Sequence, residues 1–160
     1  MLPTVSNPDS LAFRLFRDCD WVQGKGMRGA SCEFCSALSM IFDSPEPLWI
    51  AWGPAEKRFF FNDAYLPLLR GKLHGAMGNR MEVVWNDVWD DVKDLLQATF
   101  DGEAQSLKNM KLRMDRDGFL EATVWTFSCS PLRIRSGEVK GLLCVVSEQT
   151  AIVEERSTHS

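Results

Sequence analysis

Three groups of side chains have types and spacings that could do chemistry. The first is the CxxC of Cys32-Glu33-Phe34-Cys35. On a helix, residues 32 and 35 share a face, so a redox pair is geometrically open to them. A zinc site needs four ligands in a tetrahedron, typically with a second such pair, whereas Cys19, Cys129 and Cys144 are scattered singly. A thioredoxin-like motif needs a βαβ context that the surrounding pattern lacks. Cys32 and Cys35 therefore read as small apolar helix residues. The second group is Asp87, Asp90, Asp91 and Asp94, which reads as a solvated helix face rather than a cation site. The third is aromatic: six Trp against one Tyr promise a large aromatic core or an aromatic-lined pocket. Two His leave little for metal or His-based catalysis. No nucleophile–base–orienter set and no phosphate-cradling Gly loop with a Lys is visible, so no enzymatic activity is expected.

The elements that must position these residues follow from capping and periodicity. Asn7-Pro8-Asp9-Ser10 reads as a helix start, and Leu11, Leu15 and Phe16 then share one face. After a loop holding Gly24, Gly26 and Gly29, a second helix shows Phe34, Leu38, Ile41 and Phe42 at helical spacing. Ser44-Pro45-Glu46-Pro47 ends it. Leu48 to Trp52 and Lys57 to Phe61 read as two strands joined closely enough to pair antiparallel. Asn62-Asp63 caps a short helix through Leu69. Val84, Trp85, Val88, Trp89, Val92, Leu95, Leu96 and Phe100 predict one face of a long helix.

Three strands complete the chain: Met110 to Met114, Phe119 to Pro131 and Val139 to Ser147, with turns at Asp117-Gly118 and Ser136-Gly137. Trp125, Phe127 and Cys129 alternate onto one face of the second. The last is apolar nearly throughout, which suits a central strand. Strand pairs flanking a helical block indicate an α+β domain, an antiparallel sheet with helices packed on one face.

At 160 residues this is one domain, or one domain with an arm. Apolar residues at 45% and charged residues at 25% match an ordinary globule. A net charge of −4 argues against nucleic acid as a partner. No apolar run approaches the roughly 20 residues of a membrane helix, and the start lacks a basic-then-apolar signal peptide. An odd number of cysteines without an export signal fits a reducing cytoplasm.

Several strings resemble a PAS sensor domain, in particular the amino-terminal PAS domains of soluble bacterial sensor histidine kinases. They are Trp49-Ile50-Ala51-Trp52-Gly53-Pro54 followed by Phe61-Asn62-Asp63-Ala64-Tyr65; Glu82-Val83-Val84-Trp85 leading to Trp89-Asp90-Asp91; Arg116 to Glu121; Phe127-Ser128-Cys129-Ser130-Pro131; and Val146 to Thr150. The amino-terminal Asp20-Trp21 is also similar to that group, whereas the Gly-rich, Pro-free stretch from Val22 to Ser31 departs from its pattern. The resemblance implies an amino-terminal helical arm over residues 1–44, a PAS domain with a five-stranded antiparallel sheet over 45–150, and the start of a linker over 151–160.

It also implies a function: a cytoplasmic sensory module that relays a signal to an output such as a histidine kinase, in cis or in trans. The ligand cavity of the fold lies between the long helix and the sheet. Trp85, Trp89, Met110, Met114, Trp125 and Phe127 are thus candidates for its wall, with core filling as the competing reading. The signal would leave through Glu148, Gln149 and Thr150. Leu11, Leu15 and Phe16 would mediate a homodimer or pack across the sheet's open face. No cofactor is expected, though a small ligand fits the reading. The long helix has no His for haem, and no Asn-Cys-Arg-Phe-Leu string of the flavin-binding photoreceptor branch is present. The alternatives are a stand-alone small-molecule, flavin or haem binder, and an interaction or dimerisation module with a filled cavity.

Overall fold

The computed structural model describes residues 2–149. Ser10, in extended backbone, accepts the Phe13 N–H and starts α1 (Leu11–Asp18). The Ala12 N–H in the first turn of α1 donates to Asp63 Oδ1 at 2.7 Å. Anchored there, α1 buries Ala12, Phe13 and Phe16. Leu11 is 42% exposed and Leu15 half-buried. The apolar stripe is thus rotated from the expected Leu11–Leu15–Phe16, with Phe16 common to both. A single turn that the Gly-rich pattern hid, α2 (Asp20–Gln23), precedes α3 (Cys32–Asp43), which Ser31 caps.

Strands β1 (Leu48–Trp52) and β2 (Arg58–Phe61) pair antiparallel. The crossover runs through a 3₁₀ turn at Asp63–Tyr65, then α4 (Leu66–Leu69), α5 (Met81–Val84) and α6 (Trp89–Phe100). Strands β3 (Gln105–Asp115), β4 (Leu120–Arg133) and β5 (Val139–Glu148) follow. The sheet order is β2-β1-β5-β4-β3, so the apolar β5 is central as its composition predicts. A bulge between Leu107 and Met110, with Asn109 at φ 57°, keeps Met110, Leu112 and Met114 on the inner face.

The long helix expected from Val84 to Phe100 is broken at residues 85–88. Tertiary bonds override the periodicity there. Lys72 Nζ donates to the Val84 carbonyl at 3.0 Å, at the end of α5. Asp87 accepts the Asp115 N–H at 2.7 Å and pairs with Lys72 at 3.0 Å. Asp87 therefore leaves the expected acidic face and pins the turn to β3. Trp85 sits in non-helical backbone, and the two indoles do not share a helix face.

Helical layers lie on both sides of the sheet. α6 covers the inner face of β3, β4 and β5. The arm covers the outer face of β1 and β2: Phe34 of α3 stacks on Trp52 with ring centroids 4.3 Å apart, and Phe60 meets Phe16, Trp21 and Phe34. Such pairs add about 0.5–1.5 kcal/mol each beyond area burial. Asn62, fully buried, knits arm to core. Its amide donates to the Ile41 and Glu46 carbonyls at 2.9 and 2.7 Å, and its Oδ1 accepts the Leu48 and Tyr65 N–H groups at 3.2 and 3.1 Å.

Candidate functional site

Between α6 and the inner sheet face lies a cavity with about 60 Å³ open to the centre of a water-sized sphere. One water needs about 10–15 Å³ by that measure, so there is room for more than a solvent molecule. The strands supply Trp49, Leu112, Met114, Trp125, Phe127, Cys129 and Val146; the crossover supplies Tyr65, Met81, Trp85, Val88, Val92, Leu95 and Leu96. Four of the six wall candidates, Trp85, Met114, Trp125 and Phe127, line this space. Trp89 and Met110 do not: both are half-buried and pack against the core from outside it. Trp89 is displaced because α6 begins at it, after the 85–88 turn. Trp49 and Tyr65 are wall residues that the sequence reading did not single out. Trp49 is marked by its register, opposite Phe61 and Cys144 on the inner face.

The Trp125 indole turns its polar atom away from the cavity. Trp125 Nε1 donates to Thr123 Oγ1 at 2.8 Å, and that hydroxyl donates to the Leu112 carbonyl at 2.7 Å. The indole N–H is thereby satisfied within the sheet, leaving an apolar surface toward the cavity. Burial pushes the Tyr65 hydroxyl well above its ordinary range, so it stays neutral. Such a site suits a small apolar ligand. The polar ring edge of a flavin would find few partners, and the nearest thiols, Cys129 and Cys144, lie on β4 and β5 rather than on a helix. His74 lies away from the cavity, in an open groove between the arm and the Gly75–Asn79 loop, with Cys19 and Arg58.

Behind Trp125 sits a residue whose role no periodicity revealed. The Arg116 guanidinium lies 5.5 Å from the Trp125 ring centroid. Its side chain is fully buried, and it donates to Glu148 at 2.9 and 3.0 Å, to Glu121 at 2.9 Å and to the Leu68 carbonyl at 3.0 Å. The backbone approaches closely here, since a Cβ on Gly71 would collide with the Arg116 carbonyl oxygen. The end of β5 is thus bonded, through one cation, to the cavity wall and to α4. Gln149 continues the β5 edge, its N–H donating to the Val124 carbonyl at 2.7 Å. Thr150 and the linker over 151–160 lie outside the described residues.

The thiols are arranged differently from their spacing. Cys129 and Cys144 are directly opposed across β4 and β5 with sulfurs 3.2 Å apart, both buried. Cys32 is exposed at the start of α3 and Cys35 half-buried on it. Fifteen residues apart, Cys129 and Cys144 show no local motif; only their inward phase on two neighbouring strands could have paired them. Among the described residues no three His, Cys, Asp or Glu side chains converge on a metal position, and no helix is long and apolar enough to cross a membrane.

No protein-family model matches the chain, and no curated protein matches it in sequence. Solved structures do match in fold. The LOV protein of Rhodobacter sphaeroides superposes with a TM-score of 0.55 at 16% identity, covering 78% of this chain and 72% of that one. The phage VqmA–DPO complex gives 0.53 at 19% identity, over 79% of this chain and 57% of that one. An RNA-binding light-oxygen-voltage receptor gives 0.53 at 14% identity, over 85% and 40%. The chain thus spans little more than half the length of the second and less than half of the third. The sheet order, the helical crossover and these likenesses show a PAS fold.

Proposed function

We infer that the chain senses a small apolar ligand between α6 and the sheet and passes the change to whatever follows β5. The observation that carries this reading is the Trp125–Arg116–Glu148 chain, which joins the cavity wall to the end of the last strand. A ligand that moves the Trp125 ring changes the seat of a buried cation holding Glu148. The output is a histidine kinase or comparable domain, in cis or in trans. The module works as a homodimer in the cytoplasm, without catalysis of its own and without nucleic acid or membrane as a partner. The arm does not need to be the dimer surface, because Phe16 and Phe34 are already spent on the sheet.

The test is an amide NMR titration of the full chain with indole as probe. Shifts are expected at the Trp125 indole N–H and also at the Ser147 and Glu148 amides. Shifts confined to the cavity would remove the relay. No binding at millimolar indole would favour the second reading, a dimerisation module with a filled core.

A further inference from the structure

We propose that Cys129 and Cys144 are a reversible modification site: a dithiol in the cavity wall that closes to a cross-strand disulfide when an organic hydroperoxide enters the cavity. This goes beyond the ligand relay and stands without it.

Three observations converge. The two residues are register partners on adjacent antiparallel strands. Directly opposed residues of such strands have Cα atoms about 4.5–5.5 Å apart, inside the about 4.4–6.8 Å that a disulfide spans, so the backbone need not move. The sulfurs are already in contact at 3.2 Å. Cys129 also lines the cavity, whereas Cys144 lies behind it, opposite Trp49 on β1. The pair is fully enclosed, at 1% and 0% exposure, so an oxidant reaches it only by way of the cavity. A route walled by Trp85, Trp125 and Phe127 favours an alkyl or aryl hydroperoxide over a strongly hydrated one.

The geometry assigns the roles. Burial, together with the neighbouring sulfur, pushes the Cys144 thiol well up, so the proton stays on Cys144. Cys129, which lines the cavity where Cys144 does not, is the attacking sulfur. As its thiolate it attacks the terminal peroxide oxygen; an S–O bond forms, the O–O bond breaks, and the alcohol leaves with a proton. The Cys129 sulfenic acid is met at once by the Cys144 sulfur. The S–S bond forms, the S–OH bond breaks, and water leaves with the Cys144 proton. In sum, two thiols and one hydroperoxide give one disulfide, one alcohol and one water. A small-molecule dithiol reverses it by exchange. Because the pair is enclosed, the reaction is slow beside that of an exposed cysteine.

The experiment uses the reduced full chain, treated in parallel with cumene hydroperoxide and hydrogen peroxide. It is then denatured, alkylated and mapped by peptide mass spectrometry. The expected product is a crosslink between the Cys129 and Cys144 peptides, with Cys19, Cys32 and Cys35 still alkylated, reversed by dithiothreitol. Cumene hydroperoxide should form it several-fold faster than hydrogen peroxide. In Cys144→Ala the resolving sulfur is gone, and a sulfenic-acid probe should label Cys129. A crosslink between Cys32 and Cys35 alone, or both buried thiols remaining alkylatable, would overturn the proposal. So would equal rates with the two oxidants, which removes the cavity route. Mapping on the unaltered chain keeps the answer independent of whether the variant folds.

Discussion

Arg116 and Glu148 meet as a two-point ion pair, Nη1 and Nη2 lying 2.9 and 3.0 Å from the two carboxylate oxygens. The guanidinium is completely buried and Glu148 nearly so. Removing one partner of such a pair leaves an uncompensated buried charge and costs about 3–5 kcal/mol. Arg116→Met should therefore lower stability by about that amount in urea unfolding. Arg116→Lys should recover only part of it, because a point ammonium cannot hold both carboxylates as a planar fork does. Hydrogen exchange at Val146 to Glu148 should quicken in both variants. If protection there were unchanged, Arg116 would not be what holds the end of β5.

The architecture was largely legible in the sequence and the site only partly so, for a common reason. Periodicity reports which face of an element is apolar, and it placed Trp125, Phe127 and Cys129 together on β4 and made β5 central. It carries no information on hydrogen bonds between distant segments. Asp87 bonding to Asp115 broke the helix that Trp85 and Trp89 were expected to share. Asp63 bonding to Ala12 fixed α1 so that Phe13 rather than Leu11 is buried. Arg116 is a polar residue beside a turn, and nothing in its neighbours marks it as interior.

Asn62 supplies a second prediction. Its amide donates to the Ile41 carbonyl of the arm and to the Glu46 carbonyl, and its oxygen accepts two N–H groups of the core. Asn62→Ala takes away the bonds to the Leu48 N–H and the Glu46 carbonyl, at about 1–3 kcal/mol each, whereas the Tyr65 N–H keeps the residue-62 carbonyl and the Ile41 carbonyl keeps the Ser44 N–H, so the melting temperature should fall. Asn62→Asp keeps the acceptor and loses the donor to Ile41 and Glu46. Denaturant unfolding should find it destabilised as well; a stability equal to the native chain would show that the donor half contributes nothing.

Stability should fall with alkali from about pH 9. Burial raises the Cys144 and Tyr65 groups above their ordinary values of 9.0 and 10.0. As pH rises past those values, the unfolded chain releases the protons first while the folded chain keeps them. The stabilisation is whole below pH 9 and is lost progressively above it. Cys19, raised by burial, acts in the same direction. Lys57 acts oppositely, since burial lowers it and the folded chain releases its proton first. Cys144→Ala should flatten the loss between pH 9 and 10 and leave the later, tyrosine-range loss in place. Chemical denaturation across pH 8 to 11 reads both limbs, and an unchanged slope in the variant would show that Cys144 does not titrate differently on folding.

The arm is part of the folded unit in energetic terms, and Phe34 tests how strongly. It is 1% exposed, lies flat on Trp52 and also meets Trp21 and Phe60. Truncating a buried Phe to Ala costs about 3–5 kcal/mol. Phe34→Ala should reach that range, while Met40→Ala, on the exposed side of the same helix, should change stability by less than about 0.5 kcal/mol. Deleting residues 1–43 should do more than either substitution, because Ile50, Trp52 and Phe60 would then face water on the outer side of β1 and β2. An exposed apolar sheet face at the β2 edge is an association hazard. The truncated chain should therefore melt lower and sediment as a larger species than the full chain. If it kept both the melting temperature and the sedimentation of the full chain, the aromatic layer between arm and sheet would contribute nothing to the fold.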